Sequence, residues 1–163
     1  MDSLEFINSI REHFEQTMEG LDFSFMDVAE SGYYGNCEVV YRNGYKCIML
    51  MRERGSLRVF CGYENRGELK LWLLDSLVNY FKHPQGKPKN DGFGLRSSIV
   101  IGDITQEYQL AQSLLQDNVP DIFTMIESML FSDFVVSMDA FVKKQSDLYI
   151  DELAEKVWKE QHK

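Results

Sequence analysis

The stretch CEVVYRNGYKCIMLMRERGSLRVFC, Cys37 to Cys61, decides the fold. Asn43-Gly44 and Arg54-Gly55 each interrupt runs of β-branched, aromatic and other apolar side chains alternating with polar ones. A Gly-containing dipeptide between two such runs is the signal of a two-residue hairpin turn. The stretch therefore predicts three antiparallel strands in a meander. Pairing Arg42 with Tyr45 and Glu53 with Ser56 sets the register. Side chains alternate between the faces of a strand, so this register puts Cys37, Val39, Tyr41, Ile48, Leu50, Leu57, Val59 and Cys61 on one face, the expected core. The opposite face carries Glu38, Val40, Arg42, Tyr45, Cys47, Met49, Met51, Arg58 and Phe60. That mixture is too apolar for a fully solvated surface, and part of it is expected to be covered. Cys37 and Cys61 would stand two strand spacings apart, about 9.6 Å, beyond the ~7 Å reach of a disulfide, and Cys47 points the other way. All three cysteines are expected to be reduced and buried.

Working outward, Asp2 with Glu5 forms a capping box, and Ile7, Ile10, Phe14 and Met18 follow at helical spacing, with Gly20 as the expected stop. This predicts a helix over residues 3–19. The alternation in LDFSFMDV predicts a strand with Leu21, Phe23 and Phe25 on one side. Beyond the meander, ELKLWLLDSLVNYFKHP reads as one helix, apolar nearly all round and ended by Pro84. QGKPKNDGFGLR reads as a basic Gly/Pro loop and SSIVI as a short extra strand. From Asp103 onward the pattern is helical: one helix to about Gln116, a second with Pro120 in its first turn, and two more capped by Ser132 and Ser146. In the last, Ile150, Leu153, Ala154, Val157 and Trp158 form a stripe, with Glu152–Lys156 and Glu155–Lys159 as i,i+4 pairs. The expected fold is α+β: an N-terminal helix, an antiparallel β-meander with a central apolar helix, then a helical C-terminal half. It forms one domain over residues 1–163, with a helix-plus-sheet part at 1–102 and a helical part at 103–163.

The composition, 44% hydrophobic and 26% charged, suits a folded domain. No apolar run approaches the ~18 residues of a membrane helix, and MDSLEFINSIREHF lacks a secretion leader, so the expectation is a cytoplasmic protein without a membrane partner. Formal charge is −9 and unevenly spread: residues 1–32 carry net −7, residues 33–102 net +5 and residues 103–163 net −7. A chain this acidic lacks the basic footprint that phosphate binding requires, so nucleic acid is not the expected partner.

Groups that could carry catalysis are sparse. His13 lies on an acidic stretch of the first helix, His83 suits a helix C-terminus, and His162 is near the end of the sequence. GKPKNDGFG fits neither a P-loop nor a dinucleotide fingerprint, and the carboxylates of the last third show no HExxH, ExxH or EF-hand spacing. Trp72 and Trp158 sit on apolar stripes and are expected in the core. These observations predict no catalytic residue, no cofactor and no metal.

The acidic tract is the informative feature. DNVPDIFTMIESMLFSDFVVSMD, Asp117 to Asp139, holds five acids and no base, and the 46 residues from Ser97 to Val142 contain no Lys, Arg or His. On a helix begun near Pro120, Ile122, Phe123, Ile126, Met129 and Leu130 share one broad side, which turns the acids outward. Helices normally gain from mixed-sign i,i+4 pairs, so a tract without bases forgoes local support and favours a cation from another molecule.

The order of an acidic helix, the meander GYYGNCEVVYRNGYKCIMLMRERGSLRVFCGY and an apolar helix resembles small bacterial immunity-type proteins of polymorphic or contact-dependent toxin systems, over about residues 5–82. The resemblance implies a non-enzyme that binds and blocks one cognate toxin domain, often a basic nuclease; it transfers no catalytic residue. From charge, the expected contacts are Asp117, Asp121, Glu127, Asp133 and Asp139, and from the glycine-rich loops the expected apolar anchors are Tyr33, Tyr34 and Phe93. The alternatives are a self-associating or adaptor module using the half-apolar sheet face, and a small-ligand enzyme.

Overall fold

The computed structural model describes residues 2–31, 36–53, 56–82 and 104–163. The first helix, α1 (Ser3–Gly20), starts with the expected capping box: Glu5 N–H donates to the Asp2 carboxylate, and Asp2 N–H donates to Glu5. Its end differs from expectation. The left-handed residue is Asp22, at φ +66°, rather than Gly20. Phe23 N–H donates to Met18 C=O and Asp22 N–H to Glu19 C=O, the paired bonds of a Schellman cap, with Met18 and Phe23 both buried beside them.

Five strands follow in simple antiparallel order: β1 (Ser24–Ser31), β2 (Asn36–Asn43), β3 (Lys46–Glu53), β4 (Ser56–Asn65) and β5 (Glu68–Leu73). The β3–β4 register is the expected one, Glu53 opposite Ser56. The β2–β3 register is displaced: Asn43 pairs with Lys46 and Arg42 with Cys47, so Gly44 and Tyr45 form the turn. Gly44 has φ +59° and Tyr45 does not take positive φ, the pattern of a II′ turn with Gly at the first central position. The displacement is by two residues, which preserves side-chain parity. All eight expected core residues of the meander are accordingly buried. On the opposite face Val40, Cys47 and Met49 are also buried, and all three cysteines are free.

The segment read as one helix from Glu68 is a strand and then a helix, α2 (Leu74–Lys82). Arg66 and Gly67 both take positive φ, +51° and +84°, which fits a I′ turn and carries the chain back along β4. Leu69, Trp72 and Leu73 mimic helical spacing, yet the sheet separates them, since Trp72 opposes the core residue Cys61 while Leu73 opposes Phe60. Gly62 permits this close pairing: a Cβ there would lie 1.9 Å from the carbonyl oxygen of Lys70.

Two long helices complete the fold, where four were expected. Helix α3 (Ile104–Glu127) runs through Pro120 without a break, and α4 (Phe131–Gln161) runs through Ser146. Pro120 lies on the exposed side of α3, where the carbonyl its ring deprives of a partner can bond to water. The helix instead stops at Ser128–Leu130, and Leu130 is the N-cap of α4, without a side-chain cap bond. Helix α1 packs on β1 and β2, α2 on β4 and β5, and α3 on β4 with contacts to α1, α2 and α4. One core joins them, including Phe6, Phe14, Leu50, Val59, Trp72, Leu77, Leu115, Ile122 and Phe134. The buried Glu107 carboxylate accepts the Leu57 N–H at 2.7 Å and ties the start of α3 to β4; burial raises its pKa, partly offset by that bond. Tyr33, Tyr34, Phe93, His83 and the SSIVI segment lie outside the described residues.

Two substitutions test this packing by urea unfolding. Leu50→Ala should cost about 2–5 kcal/mol, since Leu50 is fully enclosed. Gly62→Ala should cost about 1–3 kcal/mol through the forced separation of β4 and β5. A loss below about 1 kcal/mol at Leu50 would contradict the assigned core face.

Candidate interaction surface

The acidic tract spans the second half of α3, the Ser128–Leu130 corner and the first turns of α4. Its apolar residues divide. Ile122, Phe123 and Ile126 are buried against the sheet, whereas Met129 and Leu130 stand exposed at the corner. The five acids all face solvent, as expected from helical periodicity. They are not all unpaired, because the sheet supplies the bases that the tract lacks. Lys46 Nζ on β3 lies 3.4 Å from Glu127, and Lys70 Nζ on β5 lies 2.9 Å from Asp139. Among the described residues, Asp117, Asp121 and Asp133 make no ion pair.

Asp139 is better read as a strut than as a contact. Its second oxygen accepts the indole N–H of buried Trp72 at 3.0 Å, which fastens α4 to β5, and Lys70 also lies 5.6 Å from the Trp72 ring. Burial pushes the Asp139 carboxyl up, but the hydrogen bonds from Trp72 and Lys70 and the lysine charge outweigh it, leaving the pKa below the ordinary range. A carboxyl held below its unfolded value stabilises the fold above that value. The contribution is lost as pH falls through the lowered folded value.

Beside the corner lies an open cleft of about 810 Å³, lined by Tyr45 from the β2–β3 turn, Lys46 at the start of β3, Tyr63 and Arg66 from the β4–β5 hairpin, and Ile126, Glu127, Met129 and Phe131 from the two helices and the corner between them. Tyr45, at 76% exposed, stands at this cleft with Met129. The Tyr63 hydroxyl is buried without a hydrogen-bond partner among the described residues. Burial raises its pKa, and the nearby Glu127 carboxylate adds to the effect. The cleft wall is aromatic and apolar with a Lys46–Glu127 ion pair at its edge, a surface suited to a mixed apolar and polar side chain of a partner.

The other chemistry-bearing groups have local explanations. His13 is exposed, with Nδ1 2.8 Å from Ser9 C=O, and its ring meets Tyr108 edge-on. His162 stacks on Trp158 with ring centroids 4.3 Å apart. No group of three His, Cys, Asp or Glu side chains positioned to hold a metal occurs among the described residues. Among the described residues, no helix is long and apolar enough to cross a membrane.

The exposed trio Tyr45, Met129 and Leu130 was not legible in the sequence, where Met129 and Leu130 fell on the apolar side of α3 and Tyr45 fell within a strand. The missed signal is the end of α3 after Glu127, which releases both residues from the buried stripe. Asp139→Ala should cost about 1–2 kcal/mol, chiefly by leaving the indole N–H without its acceptor. Asp139→Asn should cost less, and the Asp139→Ala deficit should narrow in acid; both are read from denaturant unfolding at pH 7 and at pH about 3. No protein-family model matches the chain, no curated protein matches it, and no solved structure matches it.

Proposed function

We propose that this protein is a non-catalytic binding protein that acts in the cytoplasm to neutralise a cognate bacterial toxin domain, engaging a basic partner through the corner between α3 and α4. The observation that carries the reading is a pair of features on the same two helices. Asp117, Asp121 and Asp133 are exposed carboxylates without an ion pair among the described residues, spread along the second half of α3 and the first turn of α4, and Met129 and Leu130 stand exposed at the corner between those helices, with Tyr45 beside Met129 at the cleft. Unpaired carboxylates steer a cationic partner, with association that slows as salt rises, while apolar anchors next to a cleft govern dissociation.

The resemblance of residues 5–82 to immunity-type proteins supplies the class of partner. The corner supplies a mode of contact: acids set against an Arg/Lys-lined surface, with a partner side chain seated in the cleft. The outer sheet face is less suited to be the interface, because Val40, Cys47 and Met49 are already buried.

Co-expression with the toxin domain encoded by the adjacent gene tests this. Changing Asp117, Asp121 and Asp133 together to Lys should abolish protection without unfolding the protein, since all three side chains are exposed and unpaired among the described residues. Changing Met129 and Leu130 to Ser should weaken protection through faster dissociation. If the charge-reversed protein folds and protects as the wild type does, the acidic corner is only a solvated surface.

A further inference from the structure

Helix α4 is 31 residues long, but only its first half is docked. Phe134 and Met138 are buried and Phe141 and Val142 partly so; from Ser146 to Lys163 every described side chain is exposed. This distal half is amphipathic. Ile150 (57% exposed), Leu153 (48%), Val157 (45%) and Trp158 (59%) recur at i, i+3, i+7 and i+8 and form one continuous stripe around Ala154. Four large apolar side chains aligned on one face, with no core residue against them among the described residues, make an unpartnered helix face rather than scattered exposure.

The charges on the same helix select the partner. Residues 147–155 carry Asp147, Asp151, Glu152 and Glu155 and no base, whereas residues 156–161, where the helix ends, carry Lys156 and Lys159 against Glu160 alone. The distal part of the helix is thus net −4 as far as Glu155 and net +1 beyond it. Two copies laid parallel would put acidic half on acidic half. Laid antiparallel, each acidic half lies along the basic half of the other copy. An anionic membrane suits the helix poorly, because interfacial helices are rich in Lys and Arg and residues 147–161 hold five acids against two lysines.

We infer that the distal half of α4 is a self-association surface, on which two copies of this chain pair antiparallel about a two-fold axis near Ala154. The small side chain at the centre lets the backbones approach. With Ala154 opposite Ala154, Ile150 of each copy meets Trp158 of the other, and Leu153 and Val157 close the seam between them. The surface is separate from the α3–α4 corner, and the inference does not rest on the toxin-binding reading.

A helix pair of this size belongs to the small, concentration-dependent interfaces. Sedimentation equilibrium of the full chain from about 5 to about 500 μM should therefore show the mean mass rising from one copy towards two. Leu153→Gln combined with Val157→Gln should remain a monomer throughout that range. Both residues are exposed and Gln keeps helix propensity, so the circular dichroism and the unfolding midpoint of this variant at low concentration should match wild type. Mild oxidation of Ala154→Cys should link two copies, while Gln161→Cys should not, because an antiparallel pair holds its two 161 positions far apart; the native Cys37, Cys47 and Cys61 are buried. A wild-type chain that stays monomeric at the highest concentration, or a double Gln variant that associates like wild type, overturns the inference. A dimer that cross-links at both positions, or fails to cross-link at 154, overturns the antiparallel crossing.

Discussion

A sheet built only of tight hairpins cannot cover itself. Where every described connection between strands is a two-residue turn, no helix can be inserted within the sheet to roof a face, and the chain before and after the strands must supply the cover. Here the buried face presents Cys37, Val39, Tyr41, Ile48, Leu50, Leu57, Val59 and Cys61. Helix α1 arrives from one side of the meander in sequence, and α2 and α3 from the other. The arrangement of the four described helices follows from this demand: α1 takes the β1–β2 end, α2 and α3 take the β4–β5 end, and α4 packs against the helices already in place. The charged stripe of α3 is outward because its Tyr108, Ala111, Leu115, Val119, Ile122 and Ile126 stripe is consumed by the same core.

The same parity explains what the sequence revealed and what it concealed. A hairpin register displaced by two residues keeps every side chain on its own face, so the wrong pairing of Arg42 with Tyr45 still produced the right core. Strand β5 looks helical in sequence because Leu69, Trp72 and Leu73 satisfy a helical period, and only the Arg66-Gly67 turn, with a non-Gly residue at positive φ, decides otherwise. Pro120 carries the sequence signal of a helix's first turn. It instead sits inside α3 on the solvent side, where the loss of one backbone bond is tolerated because Ile122, Phe123 and Ile126 hold the following turn to the core. In each case tertiary burial overrode a local signal that was itself real.

The acidic tract shows the limit of reading charge along one dimension. Its neighbours in sequence include no base, yet Lys46 and Lys70 reach it from strands that precede it by dozens of residues. The positive middle of the chain is therefore folded against the negative C-terminal part, and two of the five carboxylates are neutralised by that contact. What remains available, Asp117, Asp121 and Asp133, is a smaller and more defined surface than the sequence interval suggested. Its apolar complement comes from the end of a helix, a boundary that no cap residue announces.

Helix α4 joins two surfaces that obey different physics. The proximal half is held by burial and by the Asp139 bonds to Lys70 and Trp72, so it forms a rigid base from which the distal half can propagate without a second nucleation event. A separate helix of that length would be marginal in water, and one exposed ion pair, Glu155 with Lys159, adds little. The distal half thus borrows its helicity from the core while leaving its apolar stripe unburied. From Asp133 to Ala154 the helix rises about 32 Å, far enough that an occupant of the corner and a second copy on the stripe do not compete. Pairing through the stripe would present two acidic corners on one particle. A partner that itself carries two basic sites would then be held by avidity rather than by a larger single interface, and the coupling would vanish with the stripe while each corner kept its own affinity.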